Sequence, residues 1–330
     1  MRLRLGAALL VAWGLCLGAR AAGVAVPDVA PPAAAACLPE PAPPTQAESL
    51  QGLRDAVDSG LLWKATKAGR AVYLYGTIHV AQRAWMYPGP HVLRAALDSD
   101  TFALELDMSE PAILARLKAA IERRPDAPDL PPALEARLRE RMAAACIAPE
   151  TLATLRPEMR AVTVEVMEGR QFGLYSAYGI DIFMAGLARG LKKPIRSLET
   201  PEAQARLLVS DDPAETAATV DQVLADLEGG KGPAMLQRLA GDWQRGDLDD
   251  LGAYASWCGC MDTRQQRADF VKLVDERNPA MADKIVQWHA EGRSLFVAVG
   301  TLHMIGRAGL PALLRERGFA VERVAFGDGR

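Results

Sequence analysis

Short apolar runs recur along the chain, and each of them predicts a β-strand. The clearest runs cover residues 71–75, 101–104, 193–198, 294–299 and 319–326. Amphipathic segments with helical spacing lead into the later runs. Because strands alternate with helices, the pattern predicts an α/β fold in which a mostly parallel β-sheet is flanked by helices.

Two longer stretches interrupt this alternation, at about residues 109–175 and 202–275. Both are rich in Leu and Ala and have the spacing of helices that bury one face against a core. We therefore predict two long helical insertions, which can form a cap over the sheet. Behind the second insertion, Asn278 is predicted to cap a helix that has Pro279 at its first position.

The amino terminus has the pattern of a secretory signal peptide. Arg2 and Arg4 precede an apolar run over residues 5–17, and small residues follow it. This pattern predicts a signal peptide over residues 1–22 and a periplasmic or secreted protein. The alternative is a membrane anchor, but the run is shorter than the ~20 residues that span a bilayer. We expect no stable membrane insertion after cleavage.

A composition change follows the predicted signal peptide. Residues 23–47 are rich in Ala and Pro and predict a semi-extended linker, while residues 48–330 form the predicted globular domain. The cysteines beyond the signal peptide are Cys37, Cys146, Cys258 and Cys260. An even number in an exported protein predicts disulfide bonds, with the pairing left open. A cysteine metal site is the alternative, but Cys258-x-Cys260 lacks the spacing of a zinc knuckle.

Charge and short motifs exclude several classes of function. The net charge is −3 with both signs interspersed, so the chain offers no basic surface for a nucleic acid. It contains no Gly-x-Ser-x-Gly motif of a serine hydrolase. It also lacks a glycine-rich phosphate loop and a dinucleotide fingerprint. The oligomeric state is not predicted by these features.

Two of the predicted strands end in the same motif, Gly-Thr-x-His. One copy ends in His79 and the other in His303. Ligands of open α/β sheets bind at the carboxyl ends of the strands, which is where both imidazoles are expected. A single histidine there is commonly structural, but the repetition of the motif favours a functional site. The other two histidines, His91 and His289, lie in predicted helices and are expected at the surface.

Two glutamates stand at the ends of other predicted strands. Glu105 follows the second run and Glu199 follows the third. Imidazole and carboxylate groups together suit Zn, Mn, Co or Fe with one position left open, and such ions promote hydrolysis. Alternatively, either glutamate serves only a neighbouring helix terminus. Asp181 likewise either orients a ligand or caps the helix that follows it.

At these residues the chain resembles the TraB/GumN family, which is related to the Tiki metalloproteases. The resemblance is carried, in order, by residues 74–80, 103–107, 178–181, 193–200, 276–279 and 299–306. It implies a fold similar to the erythromycin-esterase/ChaN-like group. In the Tiki branch it implies Mn- or Co-dependent proteolysis, with His79, His303 and Glu105 at the metal. Arg277 and Asn278 match a Glu-Arg-Asn segment expected to orient substrate or a carboxylate.

Three hypotheses follow for the function. The first is an exported hydrolase of a peptide or other amide bond, in which His79, Glu105 and His303 hold a divalent Mn, Co or Zn ion. Glu199 would be a further ligand or a general base, and Arg277, next to Asn278, would stabilise negative charge. The second is a non-catalytic binding protein for a peptide signal or a haem-like ligand. The third is an esterase-like enzyme without metal that uses a histidine as general base.

Overall fold

The computed structural model describes residues 37–38 and 41–326. The predicted signal peptide, residues 1–22, lies outside them, as does most of the predicted linker. The first helix, α1 (Gln46–Asp55), begins just before the predicted start of the globular domain. Within the described residues no helix is both long and apolar enough to cross a membrane.

A six-stranded mixed sheet forms the centre of the described part of the chain. The strands are β1 (Leu61–Lys67), β2 (Arg70–Thr77), β3 (Thr101–Leu104), β4 (Ile195–Ser197), β5 (Leu295–Gly300) and β6 (Ala320–Arg323). Their order across the sheet is β4-β3-β5-β2-β1-β6. The pairs β4–β3, β3–β5 and β5–β2 are parallel, and β1 is antiparallel to both of its neighbours. The predicted α/β fold with a mostly parallel sheet is confirmed.

The prediction from apolar runs omitted one strand, β1. It forms a hairpin with β2 through the turn at Ala68 and Gly69, which both have positive φ angles of 50° and 74°. Leu61, Leu62 and Trp63 at its start are all buried, so both faces of the sheet are covered there. This part of β1 therefore lacks the alternation of apolar and polar residues that identifies a half-buried strand.

The helices cover the sheet and fill both predicted insertions. After α1 they are α2 (Pro90–Asp98), α3 (Pro111–Ile121), α4 (Pro132–Ala144), α5 (Pro157–Glu168), α6 (Ile180–Gly190), α7 (Pro201–Leu208), α8 (Pro213–Glu228), α9 (Lys231–Arg245), α10 (Leu248–Gly252), α11 (Tyr254–Trp257), α12 (Arg264–Phe270), α13 (Asn278–Ala290) and α14 (Leu310–Glu316). A π-helical turn, Val271–Asp275, follows α12. Helices α4 and α5 of the first insertion pack against α8 of the second. The two insertions thus form one helical layer.

One predicted surface histidine is instead buried. His91 is exposed, as expected, and its ring is 2.7 Å from Asp58. His289 is only 4% exposed and its ring packs edge-on against Phe319, 4.9 Å away. The prediction for His289 was wrong because its face of α13 is covered where the chain passes from α14 into β6.

Two disulfide bonds join the four described cysteines. They are Cys37–Cys146, separated by 109 positions, and Cys258–Cys260, separated by two. The predicted disulfide bonding is confirmed, and the bond to Cys37 ties the segment before α1 to the end of α4. Disulfides of this kind indicate an oxidising, non-cytoplasmic compartment.

Candidate active site

The two Gly-Thr-x-His motifs lie side by side. Strands β2 and β5 are parallel neighbours, with Thr77 opposite Gly300, so both motifs leave the sheet at the same edge. A Cβ atom on Gly76 would lie 2.7 Å from the Thr301 hydroxyl, which is too close for any side chain. Glycine is therefore required where the motifs touch. Both histidines are buried, His79 at 5% and His303 at 3% exposure.

The ring of His303 is held by Asn278. Its Nδ1 lies 2.6 Å from Asn278 Oδ1, and Asn278 Nδ2 donates to the Ala308 carbonyl at 2.9 Å. A carbonyl only accepts, which fixes the orientation of the amide, so Nδ1 must carry the proton and Nε2 keeps its lone pair. Burial, and then the charge of Arg277, lower the pKa of His303 to about 3. This ring is neutral at physiological pH.

Asn278 does not have the capping role that its sequence context predicts. It is the first residue of α13, Arg277 occupies the cap position, and no side chain caps this helix. The prediction was wrong because the completely buried amide is used by His303 and Ala308.

His79 has a carboxylate where His303 has an amide. Its Nδ1 lies 3.1 Å from Asp181 Oδ2, and both side chains are buried. Burial opposes protonation of the ring, but the charge and hydrogen bond of Asp181 outweigh it and raise the pKa of His79. The sequence predicts that Asp181 either orients a ligand or caps α6. The structure shows it in contact with His79, and no side chain caps α6.

The segment 179–181 packs against the first Gly-Thr-x-His motif. The Ile180 N–H donates to the Ile78 carbonyl at 2.9 Å. A Cβ atom on Gly179 would lie 2.8 Å from the His79 carbonyl oxygen and 2.9 Å from Asp181 Oδ1. The absence of a side chain at position 179 thus allows the carboxylate to approach the ring.

Glu105 lies beside His303 at the end of β3. Its Oε1 accepts the Gly300 N–H at 2.8 Å and lies 4.0 Å from His303 Nε2. Its Oε2 accepts from Arg277 at 2.8 Å and from Gln204 at 3.0 Å. Burial alone would raise the pKa of Glu105, but Arg277 and the two histidines lower it to about 2. The carboxyl is ionised despite being only 3% exposed.

Arg277 connects the two strand-end glutamates. Its Nε donates to Glu199 Oε1 at 2.8 Å, and one terminal nitrogen bonds both Glu199 Oε2 and Glu105 Oε2. The other terminal nitrogen donates to the Leu273 carbonyl at 2.8 Å. Gln204 also spans both glutamates, with Glu199 Oε2 at 2.9 Å. Bidentate contacts of this kind fix the guanidinium and the carboxylates in one arrangement.

Four of the six predicted site residues line a single cavity that is partly open to solvent. They are His79, Glu105, Arg277 and His303, and Thr77, Gly300 and Thr301 from the motifs lie with them. Glu199 and Asn278 do not line the cavity. Glu199 contacts Arg277, and Asn278 contacts His303.

Sequence reasoning missed the part of the cavity lining that does not come from the sheet edge. It comes from the second insertion and consists of Tyr254, Phe270, Leu273 and Val274. It also missed Gln204, and Trp243, whose indole N–H donates to the Gly76 carbonyl at 2.7 Å. None of these residues carries a sequence motif, because they belong to ordinary amphipathic segments. The structure places Leu273 and Val274 in the π-helical turn, a form often found at functional sites.

The charges around the cavity suit a cation. Glu105, Glu199 and Asp181 are buried or nearly so, and Arg277 is the guanidinium paired with the first two. Even if His79, whose pKa is raised, carries a proton, three carboxylates outnumber the two positive charges of Arg277 and His79 and leave an excess of negative charge. Buried excess charge is costly unless it is compensated, and a divalent ion would compensate it.

The donor groups also suit a divalent metal, although the ligand set is not closed around one. No three His, Cys, Asp or Glu side chains in the described residues already form a metal-binding group. Two ligands with bonds of about 2.1 Å can be at most about 4.2 Å apart, which His303 Nε2 and Glu105 Oε1 satisfy at 4.0 Å. The buried hydroxyls of Thr77 and Thr301 line the same cavity without a hydrogen-bond partner in the described residues.

Comparison with known proteins agrees with the arrangement of the strands and motifs. The family model described as TraB/PrgY/gumN matches residues 61–323, from the start of β1 to the end of β6. Two proteins named "Uncharacterized protein YbaP", from Escherichia coli (strain K12) and Shigella flexneri, are each 26% identical over 255 residues, covering 74% of this chain and 88% of theirs. No solved structure matches significantly. Because the family match covers the whole sheet and all of the candidate site, the chain belongs to the TraB/PrgY/gumN family.

Proposed function

We propose that this protein is an exported, metal-dependent hydrolase of a peptide or other amide bond. His79, Glu105 and His303 would hold a divalent Mn, Co or Zn ion. The observation that carries the proposal is the convergence of the two motif histidines, each held through Nδ1, on one cavity with the ionised Glu105. The disulfide bonds support a periplasmic or secreted location.

The surrounding residues support the proposed ligands. Metal-bound histidines commonly donate their second ring N–H to a carboxylate or carbonyl, and the Nδ1 atoms of His79 and of His303 lie 3.1 Å from Asp181 and 2.6 Å from Asn278. When bound, a divalent ion polarises a carbonyl group and makes water acidic enough to attack at neutral pH. Asn278 and Asp181 are then positioning residues, because they fix the ring orientations without lining the cavity.

Arg277 and Glu199 act mainly on Glu105 in this arrangement. The nitrogens of Arg277 contact Glu105, Glu199 and the Leu273 carbonyl. Glu199 in turn is occupied by Arg277 and Gln204. We therefore assign both residues to positioning Glu105 and holding it ionised, rather than to proton transfer.

A non-catalytic binding protein is the second candidate. It is favoured by the satisfied state of Glu105, which accepts hydrogen bonds from Arg277, Gln204 and Gly300 without a metal. On this alternative the cavity would bind its ligand equally well after treatment with a chelator.

Metal content separates the two candidates. It would be measured by mass spectrometry after reconstitution with Mn, Co or Zn, in the wild type, His79→Ala and His303→Ala. His91→Ala is the matched control, because this exposed histidine contacts Asp58 and does not line the cavity. We expect near-stoichiometric metal that is lost in both motif variants and kept in the control. Wild-type protein without metal would contradict the proposal, as would peptide hydrolysis that resists chelators.

A further inference from the structure

The cavity has two chemically different sides. The sheet edge supplies the polar side, with His79, Glu105, Arg277 and His303. The second insertion supplies an apolar side, formed by Tyr254, Phe270, Leu273 and Val274 and continued by Ile78 and Leu302 from the motifs. The polar groups therefore lie directly beside an apolar surface that belongs to the same cavity.

The described side chains of the lining offer no available cation to a negatively charged ligand group. Among the described residues that line this cavity, Arg277 is the one Lys or Arg side chain. Its nitrogens already donate hydrogen bonds to Glu105, Glu199 and the Leu273 carbonyl. Glu105 accepts hydrogen bonds from Arg277, Gln204 and the Gly300 N–H, so an additional carboxylate would meet another acceptor-only group and would lose its hydration without compensation. Charge thus disfavours acidic side chains at this position.

The apolar side is built on the segment that also positions Arg277. Leu273 and Val274 belong to the π-helical turn Val271–Asp275, and the Leu273 carbonyl accepts from Arg277 at 2.8 Å. This contact fixes the apolar surface relative to Glu105. A ligand with its reacting group at the sheet edge would thus present its neighbouring side chain to Leu273 and Val274.

We propose that this cavity is a specificity pocket for an uncharged, apolar side chain of the peptide substrate, of the Leu or Phe type. The inference rests on the proposed hydrolase function and adds the class of residue that it accepts next to the reacting bond. Apolar pockets discriminate by the area that a side chain buries, and one methylene group changes binding by roughly 10-fold or more.

Binding of labelled peptides tests the pocket independently of catalysis. Fluorescein-labelled hexapeptides of Gly and Ala, with Leu, Phe, Lys or Asp at one central position, would be titrated by fluorescence polarisation in the presence of a chelator and again with Mn. We expect the Leu and Phe peptides to bind at least about 10-fold more tightly than the Asp peptide. Equal binding of all four peptides, or binding of none, would overturn the proposal.

A matched pair of variants in the π-helical turn locates the pocket. Val274 is 4% exposed and lines the cavity, whereas Val271 is 39% exposed and does not line it. Val274→Ala should weaken binding of the Leu peptide several-fold and leave the Asp peptide unchanged, and Val271→Ala should change neither. Thermal unfolding would be measured for both variants to check that they are folded. Equal effects of the two variants would contradict this location.

The failure of the pocket and the failure of the hydrolase function give different results. Apolar selectivity in binding without hydrolysis of any peptide would overturn the hydrolase and leave the pocket intact. Metal-dependent hydrolysis of Leu and Asp peptides at equal rates would overturn the pocket and leave the hydrolase intact.

Discussion

Two histidines in equivalent motifs have opposite protonation tendencies, because a carboxylate opposes the effect of burial at one ring and not at the other. His79 faces the carboxylate of Asp181, which raises the pKa of the ring against the effect of burial. The Nδ1 of His303 contacts the uncharged amide of Asn278, and burial together with the charge of Arg277 lowers the pKa of this ring to about 3. The sequence motif places both rings, while residues far away in the chain determine their chemistry.

Replacing Asp181 with Asn should lower the pKa of His79. The substitution keeps the size of the side chain and removes the negative charge that outweighs burial. The measurement is a titration of the histidine ring signals by NMR in metal-free protein. His303 is the internal reference, since its ring contacts Asn278 and should remain neutral. An unchanged His79 titration would show that the pair with Asp181 does not form.

Trp243→Phe should destabilise the edge that carries the first motif. The variant keeps an aromatic ring but removes the donor to the Gly76 carbonyl, a change expected to lower the free energy of unfolding by about 1–3 kcal/mol. Urea denaturation and metal retention would be measured together. Trp257→Phe is the control, because its indole donates to the Asp250 carbonyl within the second insertion. Loss of metal in the control alone would contradict this role of Trp243.

At the scale of elements, helix α5 buries an acidic residue between the two insertions. Glu165 is 2% exposed, lies against Gly232 of α9, and has one carboxyl oxygen without a hydrogen-bond partner in the described residues. Burial, with smaller contributions from Asp226 and Glu168, raises the pKa of Glu165 to about 8. The side chain is therefore protonated in the folded protein at neutral pH.

Glu165→Gln should make the protein more stable at pH 8 and remove part of its pH dependence. The folded pKa exceeds the ordinary value of 4.5, so the stabilising effect of the proton is complete below about pH 4.5 and is lost as pH rises through about 8. The variant does not undergo this loss, so its free energy of unfolding should exceed that of the wild type by at most about 4 kcal/mol at pH 8. Urea denaturation from pH 5 to pH 8 measures it, with the exposed Glu140→Gln as control. A parallel pH dependence in wild type and Glu165→Gln would contradict the assigned burial.

At the scale of the whole molecule, the Cys37–Cys146 bond closes a loop of more than a hundred residues. The double variant Cys37→Ser/Cys146→Ser should lower the free energy of unfolding by about 2–4 kcal/mol, because the unfolded chain gains conformational freedom. The Cys258–Cys260 bond closes a loop of only two positions, so the Cys258→Ser/Cys260→Ser variant should lose less free energy of unfolding. Urea denaturation of the oxidised proteins compares them. An equal loss in both variants would contradict the explanation by loop length.

The sequence by itself determined the elements whose signals are local. The sequence predicted five of the six strands and both helical insertions. It also predicted that His79, Glu105, Glu199 and His303 lie at strand ends. These predictions were possible because apolar periodicity and glycine at the ends of elements depend on residues close together in the chain. The strand β1 was missed because burial on both faces removes that periodicity.

Only the tertiary structure decided which of these residues meet. The order β4-β3-β5-β2 brings together strand ends that lie far apart in the sequence, and it sets Glu105 against Arg277 and His303. The partners Asp181 and Asn278 and the burial of His289 likewise depend on how helices pack against the sheet. Such contacts depend on long-range packing, and no short stretch of sequence encodes them because each partner belongs to a different element.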